Sequence, residues 1–102
     1  MAFKVIFSEQ AENDLLRIID YLYVQWGPDV SLKFHLKVAS FIKTVAVMPT
    51  IGRKHIRKWE EFREYSVTKQ NIIIYQIKND EITILKIFDV RQHPAKKYKN
   101  IK

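Results

Sequence analysis

Phe3, Val5 and Phe7 alternate with Lys4 and Ile6, the period-two pattern of a short strand with one apolar face. Ser8 then offers a side-chain oxygen to cap a helix, and Glu9 suits its first turn. Ala11, Leu15, Ile18, Ile19, Leu22 and Trp26 recur at helical spacing, with Glu12, Asn13, Asp14 and Arg17 largely off the stripe. On this pattern Trp26 is a core residue closing the helix. Gly27 stops the helix and Pro28-Asp29 starts another. Val30, Phe34, Val38, Phe41, Val45 and Met48 form its apolar stripe, which ends before Pro49. Two amphipathic helices joined by so tight a break predict an antiparallel hairpin.

From residue 49 to 61 the apolar period is lost, and a loop is expected around Gly52 and the run Arg53-Lys54-His55-Ile56-Arg57-Lys58. Strand patterns follow over 62–68, 71–77 and 82–90. Lys69-Gln70 and Asn79-Asp80 supply the turns, and Pro94 ends the pairing. The order is therefore β-α-α-β-β-β. It predicts an α+β fold in one domain over residues 1–102, with the helical hairpin packed on one face of an antiparallel sheet. The last two strands are apolar on both faces, so the second face is expected to be concave or to meet a partner.

Charge changes this picture. The chain has 102 residues and a formal net charge of +7. Residues 1–52 carry five basic and five acidic side chains, and residues 53–102 carry thirteen basic and six acidic. The whole excess lies in the second half, in the run 53–58 and in the tail from Arg91 onward. Such asymmetry marks an electrostatic surface for an anionic partner, nucleic acid or an acidic protein. Arg53, Lys54, Arg57, Lys58, Lys96 and Lys97 are its candidate binding residues, and a phosphate partner would make binding sensitive to salt.

Composition removes several chemistries. The absence of cysteine excludes disulfides, thiolate zinc sites and cysteine nucleophiles, and favours a cytoplasmic location. The N-terminus lacks the pattern of a signal peptide, and no apolar run approaches a membrane span, so no membrane partner is expected. His35, His55 and His93 lack metal-ligand spacing, and two glycines leave no room for a phosphate-cradling glycine motif. Neither a metal nor a cofactor is expected. What remains is the constellation near the C-terminus. Arg91 can hold a phosphate, His93 can move a proton near neutrality, and Tyr98 can stack on a base. Glu60, Glu61 and Glu64 beside Arg63 are conceivable general bases. Such a set suits metal-free cleavage of RNA, in which a base activates a 2′-hydroxyl and cations stabilise the phosphate.

Four segments, in this order and at this spacing, carry a resemblance over nearly the whole chain. They are A-x-x-D-L from Ala11 to Leu15, P-x-x-G-R from Pro49 to Arg53, I-I-Y-Q-I from Ile73 to Ile77, and V-R-Q-x-P from Val90 to Pro94. The sequence resembles the RelE/ParE superfamily of toxins from bacterial type II toxin–antitoxin, or plasmid-stabilisation, modules. The resemblance implies a helical hairpin on an antiparallel sheet and neutralisation by an acidic, partly disordered antitoxin. It also implies one of two targets: RelE-like members cut mRNA in the ribosome, and ParE-like members poison DNA gyrase. The long hairpin and the Asp14-Leu15 and Trp26-Gly27 positions favour the ParE-like branch. The RelE-like catalytic set is partial. Arg91 and Tyr98 match it with one extra residue between them. Arg63 stands where lysine is usual, and Ile72 and Ile73 stand where a strand arginine is expected. His93 supplies a partial substitute. The expected function is thus that of a toxin acting on gyrase, with a ribosome-dependent endoribonuclease as the alternative and a non-toxic nucleic-acid-binding module as a further one.

Overall fold

A computed structural model describes residues 2–57, 60–92 and 96–98. Strand β1 (Lys4–Phe7) leads into helices α1 (Glu9–Trp26) and α2 (Pro28–Val47). A short 3-10 turn (Pro49–Ile51) precedes β2 (Arg53–Arg57), β3 (Glu60–Ser66), β4 (Asn71–Lys78) and β5 (Glu81–Asp89). The strands form one sheet in the order β1-β5-β4-β3-β2. The helices lie on one face, over a core in which Phe34, Val38, Phe41 and Val45 of α2 meet Ile73, Tyr75, Ile82, Ile84 and Ile87 of the sheet. This is the expected α+β fold of helical hairpin and sheet.

Two features go beyond the sequence pattern. First, β1 joins β5 in parallel, so the sheet is mixed rather than wholly antiparallel. Second, the expected loop contains a strand: Arg53 to Arg57 pair antiparallel with β3. A dense basic run reads as solvated loop, but an edge strand faces water and tolerates such charge. Its register also places Arg53 opposite Glu64, and opposite charges facing across strands favour the pairing.

The docking of α1 explains why Asp14 belongs to the quoted motif. β1 pairs with β5 only as far as Ile84, which leaves the rest of that β5 edge without a strand neighbour. The start of α1 fills the gap. Ser8 N–H donates to Ile84 O at 2.9 Å, and Ser8 Oγ donates to Leu85 O at 3.0 Å while accepting Ala11 N–H at 3.1 Å as the helix cap. Asp14 Oδ2 accepts the buried Ile87 N–H at 3.0 Å. Its Oδ1 accepts from Gln10 Nε2 at 2.8 Å and Arg17 Nη2 at 2.9 Å. Asp14 is 1% exposed, against the sequence reading that set it off the buried stripe. A polar residue at a helix–sheet junction can be buried because it replaces a missing ladder partner.

Tyr75 explains a second motif. Its hydroxyl donates to Pro49 O at 2.6 Å and accepts Gly52 N–H at 2.8 Å. A Cβ on Gly52 would lie 2.7 Å from that hydroxyl, so the close approach requires glycine. Phe41 edges the same Tyr75 ring at 5.6 Å and stacks on Tyr65 at 4.8 Å.

Trp26 departs from expectation. It is 67% exposed rather than core, and Val30 and Met48 of the other stripe are also exposed. Apart from Gly27, every residue from Tyr23 to Val30 is exposed, so the helical period outruns the burial at the tip of the hairpin.

Replacing Asp14 with alanine is expected to cost about 2–4 kcal/mol in urea unfolding, because it strands a buried N–H and removes charge-assisted bonds. Asp14→Asn, which keeps an acceptor, should recover part of that loss. Tyr75→Phe leaves Pro49 O and Gly52 N–H unpaired and should cost about 1–3 kcal/mol in the same measurement.

Candidate functional site: a buried carboxylate and an aromatic groove

The strands that build the core present a second face by simple alternation. Phe62, Ile74 and Phe88 are buried but stand outside the cluster that packs on the helices. Part of this face is met by the chain's own tail. Tyr98 packs its ring 5.8 Å from that of Phe62 and donates its hydroxyl to Glu64 Oε2. Lys97 Nζ lies 2.7 Å from Glu64 Oε1, and Arg53 Nη2 lies 3.4 Å from the same oxygen. Lys86 Nζ on β5 donates to Lys96 O at 2.6 Å and fastens the segment from the other side.

Glu64 is therefore a 6% exposed carboxylate ringed by one partner from β2 and two from the tail. Burial by itself pushes its carboxyl up. Lys97, Tyr98 and Arg53 outweigh burial, and the net effect holds the group below its ordinary value. A carboxyl held ionised in this way is a weaker base than an ordinary glutamate, and its geometry is that of an anchor.

The residues expected to cut RNA are dispersed among such roles. Arg63 Nη1 donates to Gly52 O at 2.8 Å and Thr50 O at 3.3 Å, bracing the turn before β2. Tyr98 is at Glu64. Arg91 forks onto Asp89, with Nη2 2.6 Å from Oδ2 and Nε 3.0 Å from Oδ1. That pair lowers the Asp89 carboxyl and raises the Arg91 guanidinium. Ile72 and Ile73, where the resemblance expects a strand arginine, are apolar: Ile72 is half-buried, and Ile73 is fully buried in the helix-side core. Of the binding candidates, Arg53 and Lys97 converge on Glu64, Lys54 stands opposite Arg63 in register, and Lys96 is exposed. Lys58, Trp59, His93 and Pro94 lie outside the described residues, as do the side chains of Arg57, Glu60 and Glu61.

A groove of about 820 Å³ runs between α1 and the end of β5. Ile18, Leu22 and Trp26, four residues apart on α1, form one wall. Lys86, Arg91 and Lys96 lie on the opposite side. Sequence reasoning missed this groove because it placed Trp26 in the core. It missed the Glu64 anchor because nothing local marks a glutamate that meets a lysine and a tyrosine more than thirty residues away.

The Glu64 network gives a pH prediction. Its folded-state affinity for protons is lowered, so its stabilisation is full above the ordinary glutamate value and is lost as pH falls through the depressed one. Urea midpoints taken from about pH 7 down to about pH 2 should show Glu64→Gln less stable than the parent at neutrality. The gap should close in acid. A gap that stays constant across the series would contradict the ionised anchor.

Comparison with known proteins places this geometry in a family. No curated protein sequence matches the chain. The fold is similar to that in a chromosomal ParDE toxin–antitoxin system from P. aeruginosa, with a TM-score of 0.71 at 21% identity, covering 86% of this chain and 96% of that one. It is also similar to the archaeal RelE–RelB complex from Pyrococcus horikoshii, with a TM-score of 0.64 at 15% identity over 91% of this chain and all of the other. The E. coli DinJ–YafQ toxin–antitoxin complex gives a TM-score of 0.59 at 11% identity over 89% and 96% of the two chains. The family model for the ParE toxin of the type II toxin–antitoxin system parDE matches residues 5–94. The chain is a member of the ParE toxin family, within the RelE/ParE superfamily.

Proposed function

We propose that this toxin acts in the cytoplasm by binding DNA gyrase rather than by cutting RNA, and that an acidic antitoxin encoded with it holds it inactive in a plasmid-stabilisation module. The observation that carries the reading is the engagement of the RNA-cutting candidates elsewhere. Arg63 holds the carbonyls of Thr50 and Gly52, Tyr98 holds Glu64, and Arg91 holds Asp89. Where the resemblance expects a further strand cation stand the half-buried Ile72 and the buried Ile73. Cleavage of a phosphodiester needs a proton acceptor, a proton donor and cations converging on one phosphate. Among the described residues, the carboxylate, hydroxyl and cations that converge are Glu64, Tyr98, Lys97 and Arg53, and they are bonded to one another around a 6% exposed carboxylate. The match to the ParE family model supports the same branch.

The antitoxin follows from charge and from the company the fold keeps. An excess of +7 concentrated in residues 53–102 favours an acidic partner, and several proteins of similar fold are solved as toxin–antitoxin complexes.

Purified toxin should inhibit supercoiling by gyrase and co-purify with it, and its induction in bacteria should produce DNA damage and filamentation. Early arrest of translation with in-frame mRNA cuts would overturn the gyrase reading. The double variant Arg91→Ala, His93→Ala sharpens the test. It should keep arresting growth if gyrase is the target. Loss of toxicity with antitoxin binding intact would point to RNA cleavage instead.

A further inference from the structure

Trp26 has no task in the fold or in the reading above. It is 67% exposed, and Tyr21 on the same helix is 51% exposed. Both line the groove between α1 and the end of β5. A large aromatic left facing a groove is a surface for a flat ligand.

The rest of the lining supplies what such a ligand would need. Cations stand along the groove: Lys86 and Arg91 at the end of β5, and Lys96 in the tail. Arg91 is forked onto Asp89, so the phosphate-holding role falls to the two lysines. Lys86 in turn holds the backbone of Lys96, so the tail cation is tied to the strand cation. The carboxamides of Asn71 and Gln92 also line the groove, each a group that can donate and accept. Aromatic faces, ammonium groups and carboxamides in one groove match three parts of a nucleotide: base face, phosphate and base edge. A volume of about 820 Å³ is in the range of sites that hold small organic ligands, enough for a short stretch of nucleotides.

We propose that this groove is a binding site for single-stranded nucleic acid, with bases stacked on Trp26 and Tyr21 and phosphates held by Lys86 and Lys96. Stacking on an aromatic side chain requires an unpaired base, which selects single strands over duplex. The proposal does not rest on the gyrase reading, and it includes no catalytic step.

The test uses the intact chain and fluorescently labelled oligodeoxythymidylate, read by anisotropy. Saturable binding is expected, weakening steeply with added salt, with duplex of the same length bound at least about ten-fold more weakly. Trp26→Leu should weaken oligonucleotide binding about ten-fold, since one stacked base is lost, and should leave the circular dichroism spectrum unchanged at so exposed a position. Tyr21→Leu is the second variant and should weaken binding in the same direction. Absence of saturable binding at low salt would overturn the proposal. So would equal affinity for duplex together with no effect of either variant, which would leave only general attraction of charge. Tighter binding of a glutamate-rich peptide that displaces the oligonucleotide from the groove would overturn it in favour of an acidic protein segment. Supercoiling assays on the same variants keep this result distinct from the target: loss of oligonucleotide binding does not bear on gyrase inhibition.

Discussion

The fold depends on how one unfinished strand edge is closed. β5 is hydrogen-bonded by β4 along its length on one side, but β1 covers the other side only from Glu81 to Ile84. A buried backbone group left there would cost about 1–3 kcal/mol. Ser8 and Asp14 remove that cost by taking Leu85 O and Ile87 N–H. One short stretch thus caps the helix, ends the strand and seats α1 on the sheet. The seating of α1 also sets the groove, because its wall is the next part of that helix.

A second set of ties places the charge. Tyr75 rises from the sheet interior to hold both ends of the Pro49–Gly52 turn, so β2 starts at a defined point on the edge. Arg63 braces the same turn from β3. Arg53 is thereby set over Glu64, where Lys97 and Tyr98 also arrive. Part of the basic surplus is consequently answered within the chain. Lys97 is more than half withdrawn from solvent in its pair with Glu64, whereas Arg91 and Lys96 remain exposed along the groove. The basic surface left to solvent is therefore a selection of the basic residues, not their sum.

Periodicity made the helical hairpin and the last three strands legible, because helix and strand repeats are consequences of backbone geometry that hold wherever one face is buried. The turn at Asn79 was legible for the same local reason: it sits at φ +58°, a conformation that asparagine tolerates. Strand β2 was not legible. One tie that holds it is the acid across the ladder at Glu64, which no window on residues 53–57 contains. Trp26 misled because a helical stripe records which side of a helix faces inward, not how far along the helix the sheet extends beneath it.

By itself the sequence determined the α+β order, the break at Gly27-Pro28, the charge asymmetry and, through four short motifs, the family. Those are properties of composition and local geometry. Tertiary structure alone decided that Asp14 is buried, that Gly52 must be glycine, that Glu64 anchors the tail, and that Trp26 faces a groove. Each of these depends on a partner distant in the chain, and a partner's position exists only once the sheet has closed.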